Sequence, residues 1–177
     1  KRLRVKFLFL KHKICNILGL NSFNKDSSPK YVKSFYGPLM FENWKDVTFR
    51  FCIRGSYGTV FSDYLKNYTK PFCFIDIGAN QGLYSLIAGN NENCLKVFAF
   101  EPVPTTAGIL TKNIDANNLG GKSEVHAKAI SNENACHKIY INLEHSGATS
   151  IDQVTSESQS SQAVDIETVN SSYLDEL

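Results

Sequence analysis

An α/β fold with a mostly parallel, doubly wound sheet follows from three observations. Residues 72–77 and 95–100 are apolar runs with the length and make-up of buried strands. Each is followed by apolar residues at helical spacing, over residues 83–88 and from Pro104 to Ile114. A glycine-containing turn, Gly78 to Gly82, stands between the first run and its helix, as in Rossmann-like nucleotide-binding sheets.

Taken in order, residues 1–20 read as a basic amphipathic helix, with Leu3, Phe7, Leu10, Ile14, Ile17 and Leu18 on one face. Gly19 can end it, and a polar linker runs to Pro29. Two readings stand for this helix: packing on a protein domain, or peripheral contact with a membrane surface. Residues 31–70 form an N-terminal extension. Val47, Phe49, Phe51 and Ile53 alternate with Thr48, Arg50 and Cys52, which predicts a strand. Gly55 and Gly58 mark a turn, and a short helix follows over residues 59–68.

Residues 71–177 then alternate strand and helix. The run 72–77 predicts a central strand buried on both faces, with Cys73 as a small buried hydrophobe. Pro104 opens the second helix, whose apolar face is Ala107, Leu110 and Ile114 and whose end is Gly120–Gly121. Residues 124–130 predict a third strand. Asn113 and Asn117, one turn apart on the second helix, read as solvated or packed at the sheet edge. His126 alternates with apolar neighbours and reads as structural. Residues 138–143 and 164–169 predict further strands, 155–162 a polar loop, and 173–177 the start of a helix.

Composition narrows the function. Six of the 19 Lys and Arg lie in residues 1–13, which hold no acid, so the rest of the chain carries thirteen basic against seventeen acidic groups. A mildly acidic body argues against nucleic acid as the partner. The five cysteines lack C-x-x-C spacing, which excludes a zinc motif and disfavours a disulfide framework; a reduced, cytoplasmic setting fits. No metal site is expected.

Two motifs carry the chemistry. In Asp76-Ile77-Gly78-Ala79-Asn80-Gln81-Gly82, glycines let backbone approach a ligand and Asp76 can hold an ammonium or fix the turn. Glu101, followed by Pro102, stands just past the second strand, where a carboxylate can accept hydrogen bonds from both ribose hydroxyls. A dinucleotide fingerprint needs G-x-G-x-x-G, but Asn80 and Leu83 occupy its second and third glycine positions. The loop therefore favours S-adenosyl-L-methionine over NAD.

Together, FIDIGANQGLYSLIA, VFAFEPVP, TKNIDANNL and HAKAIS, followed by HSGATSI and VDIETV, resemble the FkbM family of S-adenosylmethionine-dependent methyltransferases from about residue 45 onward. The resemblance implies a class I methyltransferase fold acting on hydroxyl groups of sugars, polyketides and related small molecules. It implies that Asp76, Gly78, Asn80 and Gly82, with Ala79 between them, line the methionine end of the cofactor. Glu101 and Pro102 would stand at the ribose, and Ala129 and Ile130 near the adenine. Glu144 and His145 are the loop candidates for a general base. In the class I order a later strand pairs on the other side of the run 72–77, which leads us to expect a longer natural protein. The competing readings are a non-catalytic Rossmann-like module of a glycan-assembly protein and an NAD-linked oxidoreductase.

Overall fold

The computed structural model describes residues 30–148 and 161–177; the amphipathic segment 1–20, its linker and most of the polar loop 155–162 lie outside them. The described chain opens with an antiparallel hairpin, β1 (Tyr31–Lys33) and β2 (Leu39–Phe41). Helices α1 (Val47–Arg54) and α2 (Val60–Asn67) follow.

Helix α1 replaces the strand expected there. Eight residues allow both periods, and the ends decide between them. Asp46 caps the helix, its carboxylate accepting from the Thr48 and Phe49 amides at 2.6 and 3.4 Å. Gly55 closes it in the left-handed conformation, donating to the Phe51 carbonyl. The buried residues Thr48, Phe49, Cys52 and Ile53 mark a helical face.

The α/β core begins with β3 (Phe72–Ile77) and continues through α3 (Leu83–Gly89), β4 (Cys94–Phe100), α4 (Pro104–Ala116) and β5 (Ser123–His126). The strands form one parallel sheet in the order β3-β4-β5, the Rossmann-like arrangement. One face packs on α3 and α4 through Leu86, Ile87, Val97, Ala99, Leu110 and Ile114. Burying a side chain such as Leu110 completely contributes about 1.5–3 kcal/mol.

The other face is barer, and β3 is not buried on both sides as expected. Its exposure alternates: Phe72 and Phe74 pack on the core, while Cys73 is exposed and Ile75 and Ile77 stay 40% and 56% exposed. Among the described residues β3 pairs with β4 alone.

The expected third strand is two. β5 ends at His126, and β6 (Lys128–Ser131) joins a second sheet, parallel to β8 (Ser161–Asn170), which also pairs antiparallel with β7 (Cys136–Asn142). The second sheet has its own apolar cluster, built on Val103, Ile139, Ile141 and Ile166. The helix α4 ends at Asn117 and Asn118, the latter at φ 58°, before Gly120 is reached. Ser161 and Gln162 belong to β8 rather than to a loop. The terminal segment Ser171–Glu176 is a 3-10 turn. Its Tyr173 ring stands edge-on to Phe100 and His126, and His126 stacks on Phe100 at 4.6 Å. No helix among the described residues is long and apolar enough to cross a membrane.

Candidate functional site

The loop between β3 and α3 is wound tightly by three left-handed residues, Gly78 (φ 74°), Asn80 (φ 50°) and Gly82 (φ 86°). Gly82 is required twice over: a Cβ there would meet Leu110 Cδ1 at 2.2 Å, so α4 packs directly on the loop. The loop then spends its own donors. The Gly78 and Ala79 amides both donate to the Phe100 carbonyl at 2.9 Å, and Gly82 donates to Ala79. The Asn80 amide donates to Glu101 Oε2 at 2.9 Å, and Gln81 donates to Asn80 Oδ1 at 2.8 Å. All five amides from residue 78 to 82 are internally satisfied.

Glu101 is the hub of this arrangement. It is 5% exposed, accepts from Asn80 on Oε2 and from Val103 on Oε1 at 3.0 Å, and donates its own amide to the His126 carbonyl. The ends of β3, β4 and β5 are thus tied through one residue. Burial pushes its carboxyl up from the ordinary value, and the two amides pull it partly back. Each oxygen keeps acceptor capacity beyond its one amide. Pro102, half-buried, leads into α4.

Asp76 ends β3. Its Oδ2 accepts from both the amide and the hydroxyl of Ser85, at 3.1 and 2.6 Å, pinning the strand to the first turn of α3. Burial raises this carboxyl too.

Beneath the loop, Asn113 is fully buried rather than solvated or at the sheet edge. Its Oδ1 accepts from Phe41 at 2.6 Å and its Nδ2 donates to the Gln81 carbonyl at 2.8 Å. Asn117 accepts from and donates to the backbone of Leu39. The pair at (i, i+4) therefore staples the N-terminal hairpin and the loop to α4.

Above the loop lies a cavity of about 220 Å³. Asp76, the loop and Tyr84 form one wall; Thr48 and Cys52 of α1, with Tyr57, form the other. The turn Ser146–Ala148 closes one side through Gly147. That turn is latched on both sides: Ser146 Oγ lies 2.9 Å from Asn80 Oδ1, and the Gly147 amide donates to Thr48 Oγ1 at 3.0 Å. Burial pushes the Cys52 thiol and the Tyr57 hydroxyl up to about 12, and also raises Tyr84, so all three are neutral at pH 7. Gln81, 1% exposed, lines the cavity, and its Oε1 has no hydrogen-bond partner among the described residues. Among the described residues no Lys or Arg stands in the wall.

The structure thus brings Asp76, Gly78, Ala79, Asn80, Gly82 and Glu101 into one constellation. Pro102 follows it. Ala129 and Ile130 lie on β6, with Ala129 packed on the second apolar cluster, away from the cavity wall. The Glu144 side chain is exposed, and its backbone carbonyl accepts from Val47 at 2.7 Å. His145 is half-buried, its ring edge-on to Phe51 at 6.0 Å. Thr48, Cys52, Tyr57, Gln81, Tyr84 and Gly147 were not anticipated as site residues. Gln81 and Tyr84 sit inside the motif stretch and Gly147 inside HSGATSI, where position alone could have flagged them. Thr48 and Cys52 come from a segment read as a strand and Tyr57 from one read as a turn, which hid their closeness to the loop.

No protein-family model and no curated protein matches the chain. Solved structures do. The tRNA m1G37 methyltransferase of M. jannaschii is 18% identical over 60% of this chain and 34% of its own, with a TM-score of 0.41. Methanocaldococcus jannaschii Trm5 in complex with adenosine is 20% identical over 59% and 34%, with a TM-score of 0.42. aTrm5 in complex with tRNALeu is 15% identical over 80% and 53%, with a TM-score of 0.41. The chain spans between 34% and 53% of the length of these solved proteins.

Proposed function

We propose that this chain binds S-adenosyl-L-methionine, with its ribose on Glu101 and its amino-acid end in the cavity, and serves methyl transfer to a hydroxyl oxygen of a sugar or related small molecule. The observation that carries the reading is Glu101. A buried carboxylate at the end of the second parallel strand has each oxygen held by one amide and is left with acceptor capacity for two ribose hydroxyls.

The loop chemistry supports this donor over a dinucleotide. A pyrophosphate is held by backbone amides pointing outward at a helix N-terminus. Here all five loop amides are already engaged within the protein, and among the described residues no cationic side chain lines the cavity. A sulfonium donor with an α-ammonium needs acceptors and aromatic faces instead, and Asp76, Gln81, Tyr57 and Tyr84 supply them. The bound donor would supply a methyl group on a good leaving group. The chain's share of the work is alignment: Glu101 fixes one end, the cavity the other, and Leu83 and Tyr84 exclude water. Glu144 and His145 are the candidates for the proton acceptor because their loop borders the cavity. The hydroxyl acceptor and the small-molecule or glycan substrate rest on the FkbM resemblance alone.

Calorimetric titration with S-adenosylhomocysteine, with NAD as control, tests the donor reading. Two hydrogen bonds to a charged acceptor contribute about 1.5–3 kcal/mol each, so Glu101→Ala should weaken binding by about a hundredfold or more. Glu101→Gln, which keeps one acceptor oxygen, should lose less. Binding of NAD in place of S-adenosylhomocysteine would sink the reading.

A further inference from the structure

Helix α2 turns an aromatic face to solvent. Phe61 and Tyr64 stay 45% and 58% exposed, and Val60 before them 88%. Single apolar side chains at a surface are ordinary, but a contiguous set marks a contact site. This set is contiguous. The Phe61 and Tyr64 rings are nearly parallel with centroids 6.3 Å apart, and Tyr68 follows at 5.6 Å from Tyr64. Phe61 also meets Tyr84 edge-on at 5.0 Å, and Tyr84 lines the cavity with Asp76. The aromatic ledge therefore begins at the cavity wall and runs the length of α2. At its far end Tyr68 lines a polar hollow of about 410 Å³ whose walls include Lys66, Asn67, Asn90, Glu92 and Asn93.

The polar groups between the rings define the ligand. Asp63 is exposed in the first turn of α2, between Phe61 and Tyr64 in the sequence. Asn67, one turn on, donates its Nδ2 to the Asp63 carbonyl at 2.7 Å, and its Oδ1 stays open as an acceptor among the described residues. A carboxylate in the middle of the ledge repels phosphates, and burying this face in lipid would bury that charge. An uncharged ring with an apolar face and a rim of hydroxyls suits both features. Its face lies on an aromatic ring, and its hydroxyls donate to Asp63 and Asn67. A sugar ring has this chemistry.

We propose that the ledge holds the further rings of an oligosaccharide acceptor whose first ring reaches the cavity, so that the chain selects oligosaccharides over single sugars. The acceptor role rests on the donor reading above. Phe61 and Tyr64 bind and position the acceptor, and neither lines the cavity.

Cellotetraose, chitotetraose and maltotetraose are titrated against the whole chain by chemical-shift perturbation, with glucose and N-acetylglucosamine as single-ring controls. At least one tetrasaccharide should bind about tenfold or more tightly than its own single sugar. Phe61→Ala and Tyr64→Ala should each weaken that tetrasaccharide by about three- to tenfold and leave S-adenosylhomocysteine binding unchanged. Thermal melts check that both variants are folded. If no tetrasaccharide outbinds its single sugar, or if both variants bind it as the wild type does, the ledge is not a sugar subsite. Sedimentation with phosphatidylglycerol vesicles, or binding of an oligothymidylate, that is lost in both variants would assign the ledge to a membrane or to nucleic acid and overturn the proposal. A wild type that binds sugar through the ledge but not S-adenosylhomocysteine overturns the donor reading and with it the acceptor role. The reverse pattern overturns the ledge alone.

Discussion

The two sides of the loop from Gly78 to Gly82 follow opposite rules. Toward the sheet and α4, the loop's amides and the Gln81 carbonyl are engaged: Phe100, Glu101 and Asn113 take up these groups, and Leu110 fills the space that a side chain at Gly82 would need. Toward the cavity, acceptors are left open on Gln81 and Asp76. The paired side holds the shape; the open side stores binding capacity at a cost in stability.

Breaking the paired side should have the largest effect. Asn113→Ala removes one buried and one part-buried hydrogen bond and strands the Gln81 carbonyl and the Phe41 amide. We expect a loss of about 3 kcal/mol in urea denaturation, since each stranded group costs about 1–3 kcal/mol. A loss under about 0.5 kcal/mol would mean the staple contributes nothing. On the open side the sign reverses. Gln81→Met removes an unpartnered buried acceptor and should raise the stability of the ligand-free chain by about 1 kcal/mol. A destabilised Gln81→Met would indicate that the amide already has a partner.

Acidity sharpens the same contrast. Burial raises Asp76 and Glu101 above their ordinary carboxyl values in the folded chain. The folded form then keeps protons that the unfolded chain has already released. Their contribution to stability is full below the ordinary carboxyl range and is lost as pH rises through the raised folded values. Asp76→Asn with Glu101→Gln should flatten that part of the pH profile, measured by denaturation from mildly acidic to neutral pH. An unchanged slope would place the pH dependence elsewhere. The smallest effect belongs to Glu144→Ala. Its side chain is exposed and its tie to α1 is made by the backbone carbonyl, so stability should move by less than about 0.5 kcal/mol. Under the proposed function, the same variant assayed for methyl transfer tests its candidacy as base.

Much of this architecture was legible before the structure. Long apolar runs and the glycine turn between them are local signals, and β3, α3, β4 and α4 all fall where periodicity puts them. Asp76 and Glu101 were legible because both sit at strand ends, where a parallel sheet binds ligands. Helix α1 was misread because Val47 to Ile53 satisfies both a two-residue and a helical period; the Asp46 cap and Gly55 were the signals that separate them. The break at Ala127 was invisible, because continuous strand-forming residues do not reveal which sheet each half joins.

By itself the sequence determined the strand–loop–helix order, the left-handed turn that Gly78 and Gly82 permit, and the two carboxylates at neighbouring strand ends. These depend on backbone sterics and on residues close together in the chain. Only the tertiary structure decided that Asn113 would be buried under the loop, that Thr48 and Cys52 would line one cavity with Asp76, and that Gln81 Oε1 would be left without a partner among the described residues. Those outcomes depend on contacts between residues tens of positions apart, and composition and periodicity do not encode which distant groups meet.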